Sequence, residues 1–414
     1  MNLFGLQRFT RAQLIAGALI GTALLIRLGY VAAAHGSFTY PDEHVYHGVA
    51  QSLLNGQGFS AGSESGPYTK EPLYPFFLYI LYAVFGTATL PVLLLQTVLS
   101  ALTVYLIYRT GLLLFGGEEA LAAAAMATFY PFFIFYNAYL LRETLLVLFS
   151  VTVLYYALQV TADKARSFLW FSLWCGGAVL LKEMFLYFWV LMAVMSFAVN
   201  KMNIKTLAAG SILFLLVLSP WVLRNDRAFG RPFITSGQMM NIYAPLVFPE
   251  AIIGTPEQTV FFGQHPVLVE GNKLPTQERD RFYKKAFLEE VRARPLSFMK
   301  KTAWRFLKLW KILPYRGKEY SHQWEVLAAV SVLSYGWILP CALWGGILLF
   351  SRIKQLYPLY LFLASFTLIY SLSWSQIRYR LPLEPVLILF CAYALCLVPI
   401  VKKTLSAVLA EPRQ

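Results

Sequence analysis

Long apolar runs separated by short polar breaks dominate the chain. About 20 apolar residues suffice to cross a bilayer as a helix, and the pattern predicts spans at 12–34, 89–109, 119–137, 144–162, 167–181, 184–200, 204–221, 326–350, 356–374 and 383–401. Every second short break is basic: Arg109, then Lys164 and Arg166, Lys201 and Lys205, Arg352 and Lys354, and Lys402 and Lys403. Short basic loops face the cytoplasm, so ten spans with both termini cytoplasmic satisfy the charge pattern. The apolar stretch 72–86, PLYPFFLYILYAVFG, is short for a crossing. Counting it as one would export the clusters at 109, 164 and 201, so it is expected to lie in the outer interface. The first run, from Leu14 to Ala34 behind Arg8 and Arg11, reads as an uncleaved signal anchor.

Two outer regions remain, 35–88 and 222–325. They divide the chain into a membrane module with its first outer loop (1–221, loop 35–88), an outer loop domain (222–325) and C-terminal spans (326–414). In the first loop, Pro41 suits a helix start, with Asp42 and Glu43 in the first turn where the helix dipole favours negative charge. Val45, Val49 and Leu53, with Tyr46, Ala50 and Leu54, make an apolar stripe, and Gly56 and Gly58 end the helix. In the second region, 295–314 interleaves bases with Trp304, Phe306, Leu307, Leu309 and Trp310, the pattern of a helix on a membrane surface.

Composition agrees with membrane embedding: 58% of the 414 residues are hydrophobic and 14% charged, against roughly 25% charged in soluble domains. The net charge of +14 lies in loops between spans. It points to anionic headgroups or phosphate-bearing lipids as partners, not nucleic acid. Cys175, Cys341, Cys391 and Cys396 lie in apolar runs, without zinc-site spacing or a disulfide framework.

Candidate chemistry gathers at the outer span ends. Asp42 and Glu43 either present carboxylates at the lipid boundary or cap their helix, and spacing alone leaves both readings open. His44 and His47 could join Asp42 around a metal, although a solvated helix face explains them as well. Arg142 and Glu143 interrupt apolar stretches, where charge is costly and often functional. Lys182, beside Glu183, could hold a lipid phosphate or pair with its neighbour. Arg224 in PWVLRN (220–225), and Arg378 and Arg380 in WSQIRYRLPLEP (374–385), could bind phosphate bidentately or snorkel. Together these groups suit glycosyl transfer: a carboxylate takes the acceptor proton and cations stabilise the departing phosphate. A single displacement would invert the anomeric centre.

At these residues the chain resembles the GT-C membrane glycosyltransferases, most of all the branch containing protein O-mannosyltransferases and the aminoarabinose transferases of lipid A. The ordered landmarks are the Asp42–Glu43 loop with Tyr46, Ala50 and the Gly56–Gly58 pair, EPLYPFFL (71–78), Glu143, Lys182, PWVLRN and RYRLPLEP. The resemblance implies an all-α polytopic GT-C fold of about ten transmembrane helices, with amphipathic juxtamembrane helices and a small outer α-rich domain. It implies Asp42, Glu43 and Glu143 as catalytic acids and Lys182, Arg224, Arg378 and Arg380 as donor or phosphate contacts. Tyr46, Tyr74 and Asn225 would line the substrate cavity. The implied donor is a polyprenyl-phosphate monosaccharide, and the acceptor a glycan, lipid or protein on the periplasmic or extracellular face of the plasma or inner membrane. No cofactor is required, although some related enzymes use a divalent cation. No large soluble C-terminal domain is expected, so acceptor recognition would fall to 222–325. The rival readings are a lipid-linked oligosaccharide polymerase or ligase and, from another class, a transporter of a lipid-linked or anionic substrate. Transporters usually show internal repeats, and none is visible here.

Overall fold

A computed structural model describes residues 10–34, 36, 38–60, 67–161, 164–249, 256–313 and 324–409. Arg8, His35, Pro314 and the side chain of Lys164 lie outside the described residues. Helices dominate. The first half runs α1 (Arg11–Ala34), α2 (Pro41–Leu54), α3 (Leu73–Phe85), α4 (Leu90–Leu114), α5 (Gly117–Phe129), α6 (Pro131–Phe135), α7 (Glu143–Gln159), α8 (Lys164–Val179), α9 (Met184–Ala198) and α10 (Ile204–Phe229). The second half runs α11 (Gln238–Val247), α12 (Pro256–Gln264), α13 (Pro266–Lys273), α14 (Thr276–Ala293), α15 (Pro295–Leu309), α16 (Trp324–Leu349), α17 (Ile353–Leu372), a 3₁₀ helix (Ile377–Leu383), α18 (Glu384–Cys396) and α19 (Pro399–Leu409).

The protein is a multi-pass membrane protein. Five described stretches are long and apolar enough to cross a bilayer, or six if the bent pair Gly117–Phe129 and Pro131–Ala138 is one span. One of the five, Trp324–Leu372, is about twice the length a bilayer needs. Within it the Tyr360 hydroxyl donates to the Gly346 carbonyl at 2.6 Å. Those positions would lie about 21 Å apart along one straight helix, so the chain folds back at Phe350–Arg352. A helix occupies each of the ten stretches predicted as spans, but α7, α8 and α9 are shorter than a full crossing. The last stretch departs from expectation: α18 stops at Cys396, and a separate amphipathic helix, α19, carries Lys402 and Lys403. Helix α3 is a short apolar helix of 13 residues, too short to span unaided.

The bend between α5 and α6 has a physical cause. Pro131 offers no amide proton, which frees carbonyls at the end of α5. Arg27, fully buried in α1, fills that gap. Its guanidinium donates to the carbonyls of Ala127 (3.0 Å) and Thr128 (3.1 Å), and to Ala23 and Ser100 Oγ. A buried charge in a span is tolerable only when satisfied in this way. Helices α16 and α18 approach so closely that a Cβ on Gly345 would sit 2.0 Å from the Phe390 carbonyl oxygen, so glycine is dictated there. Between α10 and α16, the helices after residue 229 carry a second apolar cluster of Tyr243, Ala244, Phe248, Leu268 and Tyr283. Trp374, from the loop after α17, packs on Phe248 and ties that cluster to the bundle.

Candidate active site

Loops at one end of the bundle bring together charges that are far apart in sequence. Helix α2 starts as predicted, with Pro41 in the first turn and both acids behind it. Asp42 points outward to meet Arg378, from the 3₁₀ helix before α18, with Nη1 and Oδ2 2.8 Å apart. Burial pushes the Asp42 carboxyl up, but Arg378, Arg142 and Lys70 outweigh it and hold it below the usual carboxylate range. Asp42 is therefore ionised at neutral pH, and its side chain is 40% exposed, so a ligand can reach it.

Behind this pair lies a buried cluster centred on Glu71, in the turn before α3. Its carboxylate is 4% exposed, accepts from Arg142 Nη1 at 3.0 Å and lies 3.9 Å from Lys182 Nζ. The Glu183 backbone amide also points at it, at 3.4 Å. Burial raises the Glu71 carboxyl, and the two cations bring it down to about 2. Glu183 behaves oppositely. Desolvation and the neighbouring Glu71 raise it to about 7 despite Lys182, and its carboxylate accepts a hydrogen bond from Gln238 at the start of α11.

Glu143 opens α7 and is buried, with Oε2 lacking a hydrogen-bond partner. It borders a narrow crevice of about 10 Å³ with Ser100, Thr103, Tyr136 and Leu381, and it interacts electrostatically with Arg378. Tyr46, buried on α2, lies in the combined field of Arg142, Asp42, Glu143 and Glu71. Tyr379 holds the cations on one platform: Lys182 Nζ lies 5.7 Å and the Arg378 guanidinium 5.4 Å from its ring centroid. The ring itself stacks on buried Tyr370 at 5.0 Å and 14°.

The archaeal oligosaccharyltransferase AglB from Archaeoglobus fulgidus, solved with an inhibitory peptide and a dolichol-phosphate, superposes with a TM-score of 0.56 at 14% identity. The match covers 96% of this chain and 52% of that one. The apo form of the A. fulgidus enzyme gives the same TM-score at 13% identity over the same shares. The chain therefore spans about half the length of these oligosaccharyltransferases. Residues 67–223 match the dolichyl-phosphate-mannose-protein mannosyltransferase family. The chain shares the GT-C fold with these oligosaccharyltransferases. ArnT from Cupriavidus metallidurans in the apo state aligns at 14% identity over 91% of this chain and 76% of that one, with a TM-score of 0.43 that falls short of fold-level likeness by itself. No curated protein matches by sequence.

Within the GT-C frame, several predicted site residues are engaged with partners inside the protein. Glu43 is buried, and both its oxygens are occupied: Oε2 accepts from the Thr39 and Tyr40 amides at 2.8 Å, and Oε1 accepts from the Leu140 amide at 2.9 Å. It clasps the α2 start to the segment before α7. Arg224 is likewise committed, with Nη1 donating to the Tyr68 carbonyl and Nη2 to the Phe59 carbonyl, both at 2.7 Å. Its guanidinium lies over Trp221 at 4.8 Å. Asn225 is fully buried, accepts from Arg224 and donates to the Phe233 carbonyl. Arg380 is fully buried against Glu384 (2.9 Å) and the Lys311 carbonyl (2.6 Å), with its guanidinium 3.4 Å from the Tyr335 ring centroid. The Tyr74 hydroxyl donates to Gln96 Oε1 at 2.7 Å, and its ring buttresses Tyr46.

Asp42, Glu143, Lys182, Arg378 and Tyr46 thus converge, whereas Glu43, Arg224, Asn225, Arg380 and Tyr74 hold the surrounding frame. Sequence reasoning missed Glu71 as a site residue although it opens EPLYPFFL; an acid immediately before an apolar run was the available signal. It also missed Tyr379, which sits between two arginines. Among the described residues no group of three or more His, Cys, Asp or Glu could hold a metal ion. His44 and His47 pack on Phe38, and His47 Nδ1 shares a 2.8 Å hydrogen bond with the Tyr82 hydroxyl.

Proposed function

We propose that the chain is a membrane glycosyltransferase that moves a monosaccharide from a polyprenyl-phosphate carrier to a glycan, lipid or protein acceptor on the non-cytoplasmic face. The observation that carries this reading is the pairing of a reachable, ionised Asp42 with Arg378, next to the buried Glu71–Arg142–Lys182 cluster. Support comes from the archaeal oligosaccharyltransferase of the same fold, solved with a dolichol-phosphate, and from the match of residues 67–223 to a family named for a dolichyl-phosphate sugar donor.

Asp42 takes the proton of the acceptor hydroxyl as its oxygen attacks the anomeric carbon. The bond from that carbon to the phosphate oxygen breaks, and its electron pair leaves on the polyprenyl phosphate. Arg378 and Lys182, held on the Tyr379 ring, stabilise that charge, with Arg142 behind them. A phosphate leaves as a stable anion without a general acid, and one displacement inverts the anomeric centre. Glu143 is the second acid of the site, placed to orient Arg378. No resident metal or cofactor is required in this scheme. The test is to incubate the purified protein with a panel of polyprenyl-phosphate sugars and measure released lipid phosphate. Release with one donor and an added acceptor supports the reading. Inertness towards every polyprenyl-phosphate sugar, with turnover of a diphosphate-linked glycan, would replace it by the polymerase or ligase reading.

A further inference from the structure

Helix α15 has the reverse of the polarity expected for a basic helix on an anionic surface. It contains Lys300, Lys301, Arg305 and Lys308. At about 100° per residue, the last three fall on the face turned towards the protein. Arg305 and Lys308 are 3% and 7% exposed. Arg305 donates to the carbonyls of Ser371 (2.8 Å) and Pro245 (3.1 Å), and Lys301 to those of Leu246 (2.6 Å) and Phe248 (3.0 Å). The opposite arc, about 160° wide on the same geometry, carries Leu296, Met299, Trp304, Phe306 and Leu307, between 46% and 71% exposed. Lys300 is the only cation on that arc.

The helix is held at the height of a span end. Ser371 belongs to the last turn of α17, and Ser375 Oγ donates back to the Arg305 carbonyl at 2.9 Å. Where α15 ends, Trp310, Ile312 and Leu313 face Val332, Gly336 and Trp337 of α16 across an apolar groove of about 720 Å³. The exposed apolar surface therefore runs from α15 through the groove onto a helix of the long apolar stretch that crosses the membrane. Contiguous apolar surface of this kind needs a covering phase, and its continuity with a span makes that phase lipid.

We infer that α15 is sunk through its apolar arc into the acyl region of the leaflet on the active-site side, anchoring the helices after residue 229 to the bilayer, while Lys301 and Arg305 serve as internal ties and not as headgroup contacts. This inference goes beyond the glycosyl-transfer reading and does not depend on it. A surface helix bound through its basic face would respond to salt and anionic lipid; an acyl-embedded arc responds to neither.

The experiment uses the full chain with its native cysteines replaced, reconstituted in pure phosphatidylcholine vesicles. Nitroxide labels are placed on cysteine at Leu296, Met299 and Leu307, with Lys308 (7% exposed) as an inward control, and power saturation is read against oxygen and a water-soluble nickel chelate. The arc positions are expected to favour oxygen over nickel, with position 308 shielded from both, unchanged from 0.1 to 1 M salt. Nickel access at the arc would overturn the inference. So would shielding of the arc from both reagents, the mark of a protein partner or a second copy, and so would loss of the oxygen preference at high salt. If cysteine replacement prevents folding, dibrominated phosphatidylcholine should quench wild-type fluorescence more than that of Trp304→Phe, and equal quenching overturns the same claim.

Discussion

Replacing Asp42 by Asn separates chemistry from stability more cleanly than any other change at this site. The substitution keeps the shape of the side chain and removes the charge. The lost ion pair with Arg378 joins an Asp42 side chain that is 40% exposed to an arginine that is 24% exposed. Solvent-accessible pairs of this kind contribute about 0–1 kcal/mol, and the acid's interaction with the helix start adds about 0.3–1 kcal/mol. The expected stability loss is therefore about 1 kcal/mol. A general base contributes about 10²–10⁴ in rate, or about 3–5 kcal/mol in the barrier, so turnover should collapse while thermal unfolding barely moves. The assay is single-turnover release of polyprenyl phosphate in nanodiscs, run beside an unfolding curve on the same preparation. A rate within about threefold of wild type, well below the range expected for a general base, would refute the assignment. A collapse of stability alongside activity would make Asp42 structural. The sign of the pH dependence is also set. The folded carboxyl lies below its ordinary value of 3.8 because the cations outweigh burial, so this group imposes no acidic limb on turnover until pH falls below the usual carboxylate range. Its ion-pair stability is present above the unfolded value and lost as pH falls through the folded one. Arg378→Ala should move that limb upward.

Glu71→Gln should do the opposite of Asp42→Asn: a 4% exposed carboxylate holding two cations is a buried ionic cluster whose breakage costs about 3–5 kcal/mol, and an unfolding curve within about 1 kcal/mol of wild type would contradict it. Because Glu71 is held at about 2, its contribution should be present above the unfolded carboxylate value and decline as pH falls towards the folded one. Arg224→Ala should lower stability by about 2 kcal/mol or more, since it removes charge-assisted hydrogen bonds to the Tyr68 carbonyl and Asn225 Oδ1, with donor affinity unchanged; a selective loss of lipid-phosphate binding would return Arg224 to the donor site. Glu183, raised from an ordinary 4.5 to about 7, opposes folding when ionised, so stability should decline as pH rises through that interval. Glu183→Gln should flatten the decline between about pH 5 and 8, and an unchanged slope would show that another group titrates.

The fold was legible because its signals are local. Apolar run length placed a helix on each expected span, and Pro41 with the Gly56–Gly58 pair bounded α2. The fold-back at Phe350–Arg352 was foreshadowed by the basic pair Arg352 and Lys354. The early stop of α18 was harder to read, because Leu397 and Val398 continue the hydropathy while the backbone turns. Within the site, sequence identified which breaks carry charge but not which charges are already engaged. Glu43 and Asp42 are adjacent acids in the same first turn, yet one accepts three backbone amides and the other meets Arg378. Only the path of the chain through Thr39 and Leu140 distinguishes them. On α15, the sequence showed that bases alternate with apolar residues but not which set faces the protein, because that depends on carbonyls at Pro245, Leu246, Phe248 and Ser371.

The split between Arg378 and Arg380 has the same origin and explains why adjacent cations at a span end are a poor guide to a phosphate site. The residues lie two apart on a 3₁₀ helix, which turns about 120° per residue, so their side chains leave on different sides. One reaches outward to Asp42; the other turns into the bundle, where Glu384 neutralises it and the Tyr335 ring covers it. The residue between them supplies what a second arginine could not. The Tyr379 ring carries Arg378 and, from the loop between α8 and α9, Lys182. Cation–π contacts contribute only about 0.5–1 kcal/mol at such sites, too little to fix a cation alone. Stacking on buried Tyr370 makes the platform rigid, and two cations from separate loops are thereby brought to one ring. A pair of cations assembled in this way depends on tertiary structure that adjacency along the chain does not encode.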